Sequence, residues 1–289
     1  MNQEDFLLTT ISTSNNIHGY FCKIKKSLTE IQKKHSLNII SSTIFSRAMA
    51  ATVLLSGNLK NRNDYITVIW QCTGDAGKIF CEAFYDGSIR GYIKEKNLSL
   101  IETSMKDNFI YSEPYIGFGE LKVMRTTFDD RAPYSSVVSI ETGEIAQDIS
   151  LYLDQAFQIQ SALKLGLSIS RENEIESAGG LLLMAMPGAT KEELNNIYDS
   201  FNSLGSLTEI LKKGNKEINN LFQKLGLEII SIKKIFHKCS CNRLKIFGII
   251  KKLDKEELKK FITEGTKLEV ECQYCSEKYM FEIDELGEK

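Results

Sequence analysis

The sequence predicts an α+β protein: a core domain built on a mainly antiparallel sheet with packed helices, then a helical linker and a small C-terminal domain. Three observations predict it. Short strand-like segments with tight turns fill the first half of the chain, the apolar run Ser41–Leu59 is long enough for a buried helix, and four of the seven cysteines fall between positions 239 and 275. At 289 residues the chain exceeds one typical domain of roughly 100–200 residues. The pattern divides it into a core over 1–187, a metastable helical linker over 188–235 and a C-terminal domain over 236–289.

FLLTTISTSNNIHGYFCKIKKSL reads as two strands around an Asn15-Asn16 turn, with Gly19 weakening or bulging the second. SSTIFSRAMAATVLLSGNL is rich in small apolar residues, starts at Ser41 and ends near Gly-Asn, which marks a core helix. YITVIWQC, KIFCEAFYDGS, SIRGYIKE, GFGELKVMRTTF and SSVVSIET are strand-like, punctuated by Gly74-Asp75, Asp86-Gly87 and Arg131-Ala132-Pro133. A second helix is expected at about Glu144 to Phe157. AGGLLLMAMPGA, from Ala178 to Ala189, reads as a buried strand and the last core element.

Beyond Pro187-Gly188 the pattern turns helical and lighter. KEELNNIYDSFNSL, SLTEILKKG and NKEINNLFQKLG are short, separated by Gly205 and Gly214, and each carries a narrow apolar stripe. Helices below about 12–15 residues are marginal alone, so this region must borrow stability from its neighbours. It is a candidate for conditional unfolding, although an ordinary helical subdomain has the same residue pattern.

Composition excludes several classes. With 42% hydrophobic and 26% charged residues and three prolines, neither gross disorder nor a fibrous repeat is indicated. Thirty-six basic against 38 acidic residues give a net charge of −2, no global footprint for nucleic acid or an anionic membrane. The opening MNQEDFLLTT carries acids where a signal peptide needs positive charge, and no apolar run is read as approaching the roughly 18 residues of a spanning helix. The expected compartment is the cytoplasm, where thiols stay reduced. Cys22, Cys72 and Cys81 sit singly among apolar neighbours and read as small buried hydrophobes.

The other four form C-x-C-x30-C-x2-C: Cys239, Cys241, Cys272 and Cys275. Two close pairs of thiolates, joined by a segment that brings them together, suit a tetrahedral Zn2+. KLEVEC alternates Leu268, Val270 and Cys272, and KYMFEI alternates Tyr279, Phe281 and Ile283, which predicts a hairpin with Cys272–Cys275 at its tip. Asp254 and Glu257 resemble a capping box for a helix whose Leu258, Phe261 and Ile262 share a face. Residues 236–289 are too few for more than a marginal apolar core, whereas a structural zinc contributes roughly 10–16 kcal/mol. A sulfur committed to a disulfide no longer offers a thiolate, so oxidation should remove the metal and unfold the domain. Lys233, Lys234, His237, Lys238, Arg243 and Lys245 either favour thiolates or form a solvated basic face. His237 is a conceivable substitute ligand that four available cysteines make unnecessary.

FSRAMAATVLLSGNLK, GDAGKIFCEAFYDGSIRGYI, GELKVMRTTF, RAPYSSVVSIETGEIAQDI, AGGLLLMAMPGA and the terminal cysteine pairs together closely resemble the redox-regulated 33 kDa heat-shock chaperone family over nearly the full length. The resemblance implies one zinc ion on Cys239, Cys241, Cys272 and Cys275 in a reduced, inactive state. It implies that oxidation forms the disulfides Cys239–Cys241 and Cys272–Cys275, releases zinc and unfolds the linker. The oxidised protein is then expected to form a homodimer and hold unfolding client proteins. Such local disulfides would close very short loops, removing little chain entropy and remaining reducible. Cys22, Cys72 and Cys81 lie outside the family motif and are potential sites of off-pathway disulfides.

No G-x-x-x-x-G-K-[ST] phosphate loop is present, so the expected chaperone is independent of ATP. A zinc-dependent nucleic-acid module would need a basic face, yet residues 231–289 carry 13 Lys/Arg and 11 Asp/Glu, and a −2 zinc centre nearly cancels that +2. A thiol oxidoreductase using Cys272 and Cys275 would need its C-x-x-C to open a helix rather than join two strands. His18, His35 and His237 are scattered, with no recognisable nucleophile arrangement, so no enzyme is expected.

Overall fold

Strand alternation builds the first hairpin, β1 (Phe6–Ser12) and β2 (Ile17–Lys23), in unbroken antiparallel register from Phe6↔Lys23 to Ser12↔Ile17. The computed structural model describes residues 4–12, 16–106, 109–127, 133–252, 267–282 and 285. The bulge expected at Gly19 is absent from this hairpin. A Cβ there would lie 2.5 Å from Thr10 Oγ1, so the glycine serves close packing, and the register shift falls on the other edge of β1 between Thr9 and Thr10.

The second strand stops earlier than expected, and Lys25–His35 form helix α1. Its buried face is Ser27, Leu28, Ile31, Gln32 and His35. The helix is capped from outside its own sequence: the buried Asp5 carboxylate accepts the Lys26 and Ser27 N–H groups at 3.0 and 2.5 Å.

Helix α2 (Ile39–Leu55) starts two residues before Ser41, because Asn38 is its N-cap and accepts from Ser41 N–H at 2.9 Å. Every residue from Ile40 to Leu55 is buried. Small side chains at Ala48, Ala50 and Ala51 allow close approach, and the hydroxyls of Thr43 and Thr52 donate to carbonyls one turn back at 2.8 and 2.9 Å. Contrary to the sequence expectation, Ile39–Asn58 is long and apolar enough to cross a membrane; 94% of its most apolar stretch is buried inside the protein. An all-round apolar helix is also what the centre of a core requires.

The remaining elements follow as β3 (Tyr65–Cys72), β4 (Lys78–Phe84), β5 (Ser88–Ile93), β6 (Met105–Lys106), β7 (Phe109–Ile110), α3 (Glu113–Ile116), β8 (Gly119–Thr126), β9 (Tyr134–Ser139), α4 (Ile145–Phe157), β10 (Ser161–Ile169) and β11 (Ile175–Ala185). Next come α5 (Lys191–Asn202), α6 (Leu207–Lys213), α7 (Asn215–Leu225), β12 (Glu228–Lys234), β13 (Phe236–His237), α8 (Arg243–Ile250), β14 (Lys267–Glu271) and β15 (Lys278–Glu282). Contacts divide the chain into two compact units, Met1–His237 and Lys238–Lys289.

In the first unit, two large sheets stand where one was expected, with orders β10-β11-β2-β1-β12 and β13-β5-β4-β3-β8-β9. Helix α2 packs on both. Nor is β11 the last core element, since the chain returns to place β12 beside β1 and β13 beside β5.

The inner strands β11, β2 and β1 of the five-stranded sheet are buried on both faces, and alternation assigns their side chains. Leu7, Tyr20, Cys22, Leu182 and Met184 join the cluster around α2. Phe6, Leu8, Ile17, Phe21, Leu181 and Leu183 join a second cluster with Phe201, Leu204, Leu207, Leu211, Ile218, Leu221, Phe222 and Leu225 of α5–α7 and their connections.

In the second unit, β14 and β15 form the expected hairpin, in register from Lys267↔Glu282 to Glu271↔Lys278. The helix expected from Asp254, with Leu258, Phe261 and Ile262, lies outside the described residues, as do Asn15, Arg131, Ala132 and Ile283.

Candidate metal centre

Cys272 and Cys275 occupy the turn between β14 and β15. Cys272 N–H donates to Glu277 O at 2.9 Å, while Cys275 and Ser276 N–H donate back to Cys272 O at 3.3 and 2.8 Å. Ser276 takes the left-handed φ of 55° that closes so tight a turn. The other pair comes from the segment before α8: Asn242, directly after Cys241, is the helix N-cap and accepts from Lys245 N–H at 2.9 Å. Lys245 Nζ then donates to Ser240 O at 2.8 Å, between the two cysteines.

These two local devices bring all four sulfurs within 4.8 Å of one another. Cys239 and Cys272 Sγ are 3.8 Å apart, Cys241 and Cys275 Sγ 3.3 Å. With Zn–S bonds of about 2.3 Å, a tetrahedral site separates its sulfurs by about 3.8 Å. The spacing therefore fits, and the cluster could hold a metal ion. Cys272 and Cys275 are buried and Cys239 and Cys241 half-buried, which shields such an ion from water. In the same unit Phe281 is fully buried, stacked on Phe247 at 5.8 Å and covered by the Arg243 guanidinium at 4.7 Å.

Burial pushes the thiols of Cys239 and Cys275 above their ordinary value. At Cys241 burial acts the same way, but hydrogen bonds from Tyr279 and from the other three cysteines outweigh it, and this thiol lies below the ordinary value. Tyr279 Oη donates to Cys241 Sγ at 3.1 Å. Of these three thiols Cys241 therefore gives up its proton most readily, and a bound dication would favour the thiolate form of its ligands.

The family model for the Hsp33 protein matches residues 5–282. The chain belongs to the Hsp33 family. It is 31% identical over 285 residues to the 33 kDa chaperonin of Lactobacillus johnsonii, covering 98% of this chain and 97% of the relative. It is 29% identical over 299 residues to that of Trichodesmium erythraeum, covering 98% and 92%. The crystal structure of the 33 kDa chaperonin from Thermotoga maritima matches with a TM-score of 0.88 at 23% identity over 98% of this chain and 97% of that one, a likeness of fold. Hsp33 members are chaperones, and this chain is one by family.

The other residues singled out in this Hsp33 sequence lie elsewhere. His237, the conceivable substitute ligand, instead donates from Nδ1 to Glu30 Oε1 at 3.0 Å. Lys233 lies over the Tyr85 ring at 4.7 Å and Lys234 pairs with Glu4 at 2.7 Å, which places them in the first unit. Cys22 and Cys81 are fully buried and Cys72 is half-buried; burial holds all three thiols up, that of Cys72 to about 12. Such thiols react slowly. Sequence reasoning placed Tyr279 in the hairpin without its sulfur contact; its place four residues after Cys275, on alternating β15, was the available signal.

Proposed function

We propose that this chain is a redox-regulated, ATP-independent holdase of the cytoplasm, zinc-bound and inactive when reduced. Cys239, Cys241, Cys272 and Cys275 hold one Zn2+, which when bound supplies the cross-link that folds the C-terminal unit. The observation that carries this reading is the set of four sulfurs at tetrahedral spacing.

On oxidation, the sulfurs of Cys239 and Cys241, and of Cys272 and Cys275, join in two disulfides. Each pair of thiolates gives up two electrons to a peroxide as the S–S bond forms and the O–O bond breaks, and the two oxygens take protons from solvent to leave as two waters. Disulfide sulfurs no longer provide thiolates, so the residues that gripped the dication cannot retain it. The division into a core over 1–187, a linker over 188–235 and a switch domain over 236–289 belongs to this proposal.

The second apolar cluster supplies a consequence. Helices α5, α6 and α7 have 12, 7 and 11 residues, so packing on the sheet rather than helix propensity sustains them. If they lift off, Phe6, Leu8, Phe21, Leu181 and Leu183 become an open apolar face. Each such side chain gains roughly 1.5–3 kcal/mol by being covered, enough to favour an unfolding client or a second copy as cover. The proposed partners are unfolding proteins and, in the oxidised state, a homodimer mate; neither nucleic acid nor membrane is among them.

Zinc content and suppression of client aggregation, measured for reduced, peroxide-treated and re-reduced protein, test this. Activity should appear with zinc release and vanish on re-reduction in the presence of zinc. Equal activity in all three states, or zinc retained after oxidation, sinks the switch.

A further inference from the structure

Between the helices and the cysteines the chain crosses the first unit as β12 and β13. The side chains of β12 contribute little burial: Ile229, Ile230 and Ile232 are 42, 59 and 58% exposed. Its ladder to β1 shifts register between Thr9 and Thr10. Apart from its backbone ladder to β1, the strand is secured by buried side chains at its two ends. At the first end Leu227 is buried in the cluster of α5–α7.

At the second end Ile235 is buried in the main cluster around α2, and its N–H donates to Asp5 O at 2.9 Å. Phe236 N–H donates to Gly87 O at 3.1 Å, and β13 runs parallel to β5 with Phe236↔Ser88 and His237↔Ile89. The His237 ring, 1% exposed, holds Glu30 of α1. Gly87 permits the approach: its φ is +86°, and a Cβ there would stand 1.9 Å from Lys234 O. Cys239 follows His237 by two residues.

We propose that Ile235–His237, seated against Gly87 and Glu30, is a clasp that positions β12 and so keeps α5–α7 docked; through it, loss of order at the cysteines passes into the first unit. This rests on the switch reading above. With the clasp closed, the chain from α7 through β12 is pinned at both ends. With it open, an edge strand of exposed side chains keeps its ladder to β1 but only one anchored end, and fraying of β12 from the freed end removes the restraint that follows α7. The clasp is three residues long, and Ile235 is its one side chain in the main cluster, so it holds while the chain beyond Cys239 is ordered and yields when that chain becomes a disordered tail.

The full-length protein, reduced and zinc-loaded, tests this in the variants Gly87→Val and Ile235→Ser, with amide hydrogen exchange, zinc content and client aggregation as readouts. The expected result is loss of protection at Phe236, at least about tenfold faster exchange across α5–α7, and retained zinc. If Gly87→Val fails to fold, Ile235→Ser carries the test, and Glu30→Gln should give a smaller change in the same direction. The clasp is overturned if Phe236 exchanges freely while α5–α7 stay protected, if Phe236 stays protected in both variants, or if both variants lose zinc, which would make the segment part of the metal centre's own fold. Released helices without suppression of aggregation would leave the clasp standing and count against the holdase reading instead.

Discussion

The phenol of Tyr279 donates a 3.1 Å hydrogen bond to the sulfur of Cys241, linking strand β15 to the cysteine pair that precedes α8. A donor to a ligating sulfur orients it and withdraws charge from it. Tyr279→Phe keeps the ring and removes only the donor. Zinc affinity, measured by chelator competition, should fall by about tenfold, with the hairpin retained.

Cys272 is buried in the hairpin turn, and its backbone organises that turn as well. Cys272→Ser, or chelation of the wild type, should remove roughly 10 kcal/mol or more of metal-linked folding energy from the second unit. Limited proteolysis should then cut within 238–289 in the reduced protein, without oxidant.

Phe222 of α7 meets Phe21 of β2 edge to face, with ring centroids 5.4 Å apart. Phe222→Ala deletes that contact in a buried site, at a cost of about 3–5 kcal/mol borne by helices with little stability of their own. Hydrogen exchange across α5–α7 should accelerate while zinc content stays unchanged. Unaltered exchange would show that the apolar cluster does not hold these helices down.

Burial raises the carboxyl of Asp5 above its ordinary value of 3.8, with the N–H groups of Ser27 and Lys26 pulling the other way. The folded state therefore binds this proton more tightly than the unfolded chain. The stability it contributes is complete below 3.8 and declines as pH rises through the raised folded value. Asp5→Asn cannot titrate there. Urea denaturation of metal-stripped wild type and variant, between about pH 3.5 and 6, should give a difference curve in which wild type loses ground as pH rises.

The first hairpin, α2, five strands of the second sheet and α4 were legible because period and turn residues agreed at each. Helix α1 was not: KKSLTEIQKKH follows β2 without a Gly or Pro break, and its cap is Asp5, twenty residues away in sequence. Strand β12 was missed because it is exposed on both sides and so lacks alternation. The four cysteines could be read from spacing alone, since metal geometry restricts spacing. The contact of Tyr279 with Cys241 could not, because it depends on how the hairpin meets the segment before α8.

The two-faced sheet has a genetic consequence. Successive residues of β2 belong to different compartments: Tyr20 and Cys22 to the permanent interior, Phe21 to the face beneath α7. Saturation mutagenesis along this strand should give two interleaved phenotypes, loss of the protein at one set of positions and loss of restraint at the other. A polar residue at position 21 would then behave as a gain-of-function allele, while the same change at position 20 or 22 would read as a null.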